Sequence, residues 1–368
     1  EPIDGSSLMN ASTDTSKFMG TLYGVNEFME WYMKYFPVPY GSYSKETNLL
    51  FGLSKYNAFQ MRKGAKTDTV TQNSSLSFFG YFTLNNQYKT VLQSNLMLNQ
   101  NKALWNTTLV YSHYPLEFFG VGNNTELENQ RTLNTTDFQF NMYFLWRFFE
   151  KYYLGPNYTF IDYYEVELIA GAEPLPSDSV NLHNNLGKQS GLGLKLIIEE
   201  RDNRLNAKSG YFVDLSYQVY DEALGGEHNY QHLFADFRYY ITPYKKLTVA
   251  TRLRTESKKG DVPVQSLAMI GGDYNMRGTY MGRYRDNVSL VTEMELRFPI
   301  FWILGGTVFG SMGQVAPAYD KIAIDEFHYN YGLGLRLKVD SEHDVNLRFD
   351  LGFSSDQVSF IMNFSEAF

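Results

Sequence analysis

Apolar and polar residues alternate singly along most of this chain, in runs of about ten residues separated by turn-forming clusters. The plainest run sets Val345, Leu347, Phe349, Leu351 and Phe353 against Asn346, Arg348, Asp350 and Gly352. Upstream, Tyr329, Tyr331, Leu333, Leu335 and Leu337 interleave with Asn330, Gly332, Gly334, Arg336 and Lys338. A period of two is that of a strand whose two faces meet different surroundings. The pattern predicts fifteen strands, at about 47–59, 75–84, 87–98, 104–113, 135–149, 151–164, 188–200, 210–221, 230–242, 245–256, 290–299, 304–313, 329–338, 345–353 and 358–368. A closed barrel with both ends on one side needs an even number, and the sixteenth is placed at 116–122, after the turn at His113, Tyr114 and Pro115.

The charges on these strands decide what the faces meet. Glu293, Glu295 and Arg297 share one face of a strand whose other face carries Leu290, Met294, Leu296 and Phe298. A charge facing lipid at mid-membrane costs roughly 2–4 kcal/mol, so Arg336, Arg348 and Asp350 are expected to face a wet lumen. The fold class expected is therefore all-β, a sixteen-stranded antiparallel transmembrane barrel over residues 37–368. On this count the short connections at 85–86, 242–245 and 340–344 face the periplasm. Those at 60–74, 123–134, 165–187, 257–289 and 314–328 face outward.

Composition agrees. Tyr (29) and Phe (28) lead an aromatic content of 17%, while mean hydropathy is only −0.35 and no run approaches the roughly 18–20 apolar residues of a spanning helix. A soluble sandwich or propeller would bury its apolar faces and show no such aromatic excess. Forty acidic against 32 basic residues, a net charge of −8, argue against nucleic acid as a partner. The lack of Cys removes disulfides and thiolate metal sites and suits a periplasmic route. No cofactor or metal is expected. With no signal peptide visible at Glu1, the sequence is read as a mature chain.

Before the first strand, residues 1–20 are polar and expected to be disordered. Residues 21–36 place Leu22, Val25, Phe28, Met29, Tyr32, Met33 and Phe36 at helical spacing, and Pro37 would end that amphipathic helix. It has three readings: a plug in the barrel mouth, a helix on the membrane surface, or a docking site for a partner.

The densest chemistry lies in Gly271-Gly272-Asp273-Tyr274-Asn275-Met276-Arg277-Gly278-Thr279-Tyr280, a glycine-rich segment leading to the strand with Glu293 and Glu295. Gly271, Gly272 and Gly278 permit the positive-φ turns that a folded-in loop needs. With the turn Glu200-Arg201-Asp202-Asn203 and the Gly at 210, this resembles the BamA/TamA-type assembly factors of the bacterial surface antigen superfamily. The resemblance covers about residues 37–368 and implies that the loop folds into the lumen, where Arg277 pairs with Glu295. It also implies an Asp in a Phe-x-Asp-x-Gly pattern on the next strand. Here Phe309-Gly310-Ser311-Met312-Gly313 puts Ser311 there, with Glu293 as a possible substitute. Met276 and Tyr280 complete the loop motif. The same charges could merely pin a loop. Arg283 and Arg285, with Tyr280 and Tyr284, could bind lipopolysaccharide or another anion, or join a network with Glu293, Asp286, Arg252 and Arg254.

The resemblance further implies a bacterial outer-membrane protein that inserts or translocates polypeptides through a lateral seam between first and last strands, here at Leu49, Phe51, Phe360, Phe364 and Phe368. The aromatic residue at 368 resembles an outer-membrane insertion signal, and Glu366 falls on the lipid side of the register. Relatives carry periplasmic POTRA modules, so the short stretch before residue 37 reads as a member lacking them. Such a member would depend on a periplasmic or lipoprotein partner, alongside outer-membrane lipid and lipopolysaccharide, and is compatible with a homo-oligomer. The alternative class is a passive pore or a structural subunit of an envelope complex. An enzyme is not expected, since the six His are scattered over turns and loops, and His228 and His232 are not on a helix.

Overall fold

Single alternation leaves every strand with one face to bury and two edges to pair, and a closed ring meets both demands. A computed structural model describes residues 31–32, 35–44, 48–59, 74–169, 186–340 and 344–368. Among these, sixteen antiparallel strands form the ring. The first eight are β1 (Val38–Ser44), β2 (Asn48–Phe59), β3 (Ser74–Thr83), β4 (Tyr88–Leu98), β5 (Ala103–His113), β6 (Arg131–Phe149), β7 (Tyr152–Ile169) and β8 (Gly187–Glu199). The second eight are β9 (Gly210–Tyr220), β10 (Tyr230–Tyr244), β11 (Leu247–Gly260), β12 (Val288–Phe301), β13 (Leu304–Ala316), β14 (His328–Asp340), β15 (Val345–Phe353) and β16 (Val358–Phe364). Each pairs with its sequence neighbour, and β16 returns to β1.

The faces segregate as the alternation requires. On β14, Tyr329, Tyr331, Leu333 and Leu335 are 48–67% exposed, while Asn330 and Arg336 on the opposite face are each 4% exposed. Only lipid makes that outer surface stable, and the inner one is where the charges go. Among the described residues no helix is long and apolar enough to cross a membrane.

The sixteenth strand is not the one expected at 116–122. Leu116–Phe118 is a three-residue extension of β5, because Leu116 pairs with Leu133 on β6 just beyond the His113–Thr136 pair. Pro115 interrupts the ladder without turning the chain away. The extra crossing is instead β1, at the other end of the sequence. That shift reverses two connections. The turn at 84–87 lies at the same end as 261–287, and the paired strand ends Phe59 and Ser74 lie at the opposite end with the tight turns at 245–246 and 302–303.

Ahead of β1, Trp31, Tyr32 and Tyr35 are helical and Phe36 N donates to Tyr32 O at 2.8 Å, with Pro37 directly after. The remainder of the expected helix, and residues 1–20, lie outside the described residues.

Candidate functional site

After β11 the chain enters the lumen. Ala268–Ile270 pairs with Tyr284–Asp286 to form a stem, and residues 271–283 form its tip. Two glycines make that tip possible. Gly271 has φ +108°, and a Cβ there would sit 1.9 Å from Tyr280 O. Gly278 has φ +106°, and its Cβ would lie 2.7 Å from the backbone of Gly352 on β15, so two glycines meet where the loop touches the wall. Gly272 is also at positive φ, and its N donates to Thr279 O at 2.9 Å. Met276, at φ +64°, is fully buried with Ile270, Tyr284, Val291 and Val315, and its N donates to Glu293 Oε1 at 3.2 Å.

Next to it, Arg277 is 1% exposed and held by two carboxylates. One guanidinium nitrogen binds Glu295 Oε1, and the other binds Asp350 Oδ2 at 2.6 Å. Its guanidinium carbon lies 3.8 Å from the centre of the Phe309 ring, a cation–π contact. Both carboxylates are shared. Glu295 also pairs with Arg297 at 2.7 Å, and Asp350 with Arg336 at 2.6 Å and Arg348 at 2.8 Å. Glu366 pairs with Arg336 at 2.7 Å and with Arg297 at 3.7 Å. A buried charge is tolerable only when paired and hydrogen-bonded, and sharing lets three carboxylates serve four guanidiniums.

Ser311 does not stand in for the missing Asp. It bonds to Asn330, and the second carboxylate on Arg277 comes from Asp350, two strands further on. Glu293 has a different role: it takes the Met276 N–H and pairs at 3.2 Å with Arg252, which in turn pairs with Asp236 at 2.7 Å and donates to Tyr274 O at 2.5 Å. The expected network of Arg283 and Arg285 with Glu293 and Asp286 does not form. Arg283 pairs with Asp356 at 2.8 Å and reaches Thr125 Oγ1 at 2.7 Å, while Arg285 lies over the Phe118 ring.

These contacts belong to a roof over the loop. Tyr280 Oη accepts the Glu117 N–H at 3.0 Å. Asn123 accepts from Val315 N at 3.1 Å, donates to Glu326 O at 2.8 Å, and its carbonyl meets His328 Nε2 at 3.0 Å. Sequence reading missed Asp350 as a clamp residue, together with Asn123, Thr125 and Asp356. For Asp350 the signal was present, since its alternation already set it inward.

At the seam, β16 meets β1 through a single partner pair among the described residues, Tyr43 with Phe360, whereas β1 with β2 has seven and β6 with β7 fifteen. Pro39 has no N–H to offer the ladder. Leu49 and Phe51 are therefore not seam residues. They lie on β2, opposite Tyr43 and Gly41 of β1, because the expected count omitted the strand in front of them. Phe360 is at the seam and Phe364 closes β16, but Phe368 has left it. Ser365 takes φ +63°, and Glu366 and Phe368 turn into the lumen at 8% and 5% exposure. The expected lipid-side position of Glu366 fails because that one left-handed residue breaks the alternation.

An apolar exterior, a charged interior and a loop pinned within it define a transmembrane β-barrel of the outer-membrane kind. Residues 50–364 match the Omp85 superfamily domain, so this chain belongs to the Omp85 superfamily and is a bacterial outer-membrane protein. In fold it is similar to BamA from Haemophilus ducreyi, solved without POTRA domains 1–3, with a TM-score of 0.57 and 14% identity over 88% of this chain and 69% of that one. It is also similar to CdiB from Acinetobacter baumannii, with a TM-score of 0.55 and 13% identity over 88% of this chain and 58% of that one. No curated protein matches the sequence.

Proposed function

We propose that this barrel inserts or translocates polypeptides at the outer membrane, using the β1–β16 seam as the strand edge on which an incoming segment pairs. The observation that carries the reading is the single paired position at the seam. Unpaired N–H and C=O groups on β1 and β16 template a new strand. The loop motif Gly271, Gly272, Met276, Arg277, Gly278 and Tyr280 serves as the internal support that keeps the ring intact when the seam parts. Glu293 and Glu295 hold it to β12. The chain enters the barrel at Val38, at the end that carries the tight turns 245–246 and 302–303, and a periplasmic or lipoprotein partner would dock at that end. A passive pore fits less well, because the loop and its roof occupy the lumen.

The test is a disulfide across the seam, Tyr43→Cys with Phe360→Cys, in a chain that has no other Cys. In proteoliposomes, the oxidised barrel is expected to stay folded and lose its ability to insert an unfolded barrel substrate, with recovery on reduction. Full insertion activity in the locked form rejects the seam and favours a pore or structural role.

A further inference from the structure

The residues that turn inward at 365–368 fill a site made by other strands. The Glu366 carboxylate accepts from Arg336 Nε at 2.7 Å and from Asn346 Nδ2 at 2.8 Å. Its N–H donates to Leu205 O at 3.3 Å, in the connection between β8 and β9, nearly half the ring away from β16. The Phe368 ring packs with Ala207, Tyr240 and Ala250. The guanidiniums of Arg297 and Arg252 flank that ring at 5.7 and 5.9 Å, and Arg297 also donates to Phe368 O at 3.0 Å. Ala207 and Ala250 leave the volume that the ring takes.

We propose that this is a peptide-binding site, occupied in cis by residues 366–368, that accepts an extended segment with a carboxylate two residues before an aromatic ring. Three observations converge on that ligand. The walls come from β10, β11, β12, β14, β15 and the 200–209 connection, so the site persists when the tail leaves. Glu366 is a counter-ion to both Arg336 and Arg297, so its departure makes the vacated site more cationic at those two guanidiniums. A carboxylate is the group that restores the balance. The aromatic subsite adds ring packing and two flanking cations, and the Leu205 carbonyl reads only backbone. The tail reaches the site through one left-handed residue, Ser365, whose N–H bonds to Asn346 O at 2.7 Å, so exchange requires little more than rotation there. The site stands whether or not the seam opens.

The probe is a fluorescent peptide of residues 362–368, followed by anisotropy with the full chain in nanodiscs. A short tether holds the native tail at roughly millimolar effective concentration, so the wild type should bind the peptide weakly and a Glu366→Ala/Phe368→Ala variant at least about tenfold more tightly. Peptides with Gln for the acid, or Ala for the final ring, should lose that gain. Heat-modifiable gel migration reports whether the variant is folded. A folded variant that binds no better than wild type, or takes the altered peptides equally well, overturns the proposal. Independently of that variant, Ala207→Cys with Ala367→Cys should crosslink the tail in place; oxidation should exclude the peptide and reduction readmit it. Failure to crosslink, or equal binding by both redox forms, also overturns it.

Discussion

The two walls of the lumen are built from different chemistry. The wall of β11–β15 carries Arg252, Arg297, Arg336, Arg348, Glu293, Glu295 and Asp350, nearly all buried and cross-paired. The wall of β5–β9 is largely neutral, with Asn106, Gln139, Asn141, Asn157, Thr159 and Gln218 lining a cavity of about 530 Å³. The few charges near it sit in local pairs, such as Lys195 with Asp214 and Lys258 with Glu256. The difference teaches what charge is for in this barrel. Amides and hydroxyls suffice to face water, but a loop can be fixed to a wet wall only by groups whose separation costs several kcal/mol.

The sharpest way to break that comparison is Arg277→Ala, which removes one buried guanidinium from the shared network of Glu295 and Asp350 and with it the loop's own ion pairs. It should cost about 3–5 kcal/mol, seen as a lower urea midpoint and loss of heat-modifiable migration. A variant of wild-type stability would show that the charged wall does not hold the loop. Next comes Gly278→Ala, where a Cβ would press on the Gly352 backbone at positive φ. About 1–3 kcal/mol is expected, and protection of the loop amides from exchange should fall with it.

The roof is tested by acid. Burial raises the Asp356 carboxyl, but the Ser355 hydroxyl and the Arg283 guanidinium outweigh it and hold the group below its usual range. A carboxylate with a depressed folded-state pKa stabilises the fold above its unfolded value, about 3.9 for Asp, and that contribution disappears as pH falls through the folded value. The stability gap between wild type and Asp356→Asn should therefore be constant from pH 7 to about 5 and close in stronger acid. A gap that persists at pH 2 would show that the aspartate acts by shape and not by charge. The smallest effect belongs to the other wall, where Asn141→Ala should change stability by no more than about 0.5 kcal/mol. A larger loss there would erase the distinction between the walls.

Much of this was legible in the sequence because alternation is a strong signal when one face meets lipid. Fifteen strands stood out, as did the inward direction of Arg336, Arg348 and Asp350. β1 escaped because seven residues containing Pro39 and Gly41 carry little alternation, and the run at 116–118 looked more strand-like while only prolonging β5. The pairing of Arg277 with Glu295 was implied by the resemblance of the loop and following strand to the BamA/TamA-type factors. That Asp350 supplies the second carboxylate depends on how the ring curves, which no local pattern encodes. The inward turn of Glu366 hangs on the backbone of Ser365, a residue with no particular leaning to the left-handed region.

The roof and the clamp together constrain the order in which the molecule can be assembled. Residues 271–283 rest on β12–β15 and are covered by the segment that follows β5, so they cannot be threaded into a finished cylinder. The tip must be seated while the sheet is still an open, curved ribbon, and the edges β1 and β16 come together afterwards. A ribbon that curled shut with the tip outside would leave Glu295 and Asp350 to Arg297, Arg336 and Arg348, without the one guanidinium that ties the loop to both. Arg277 is therefore expected to act on closure of the ring as well as on its stability, favouring chains whose loop is already in place.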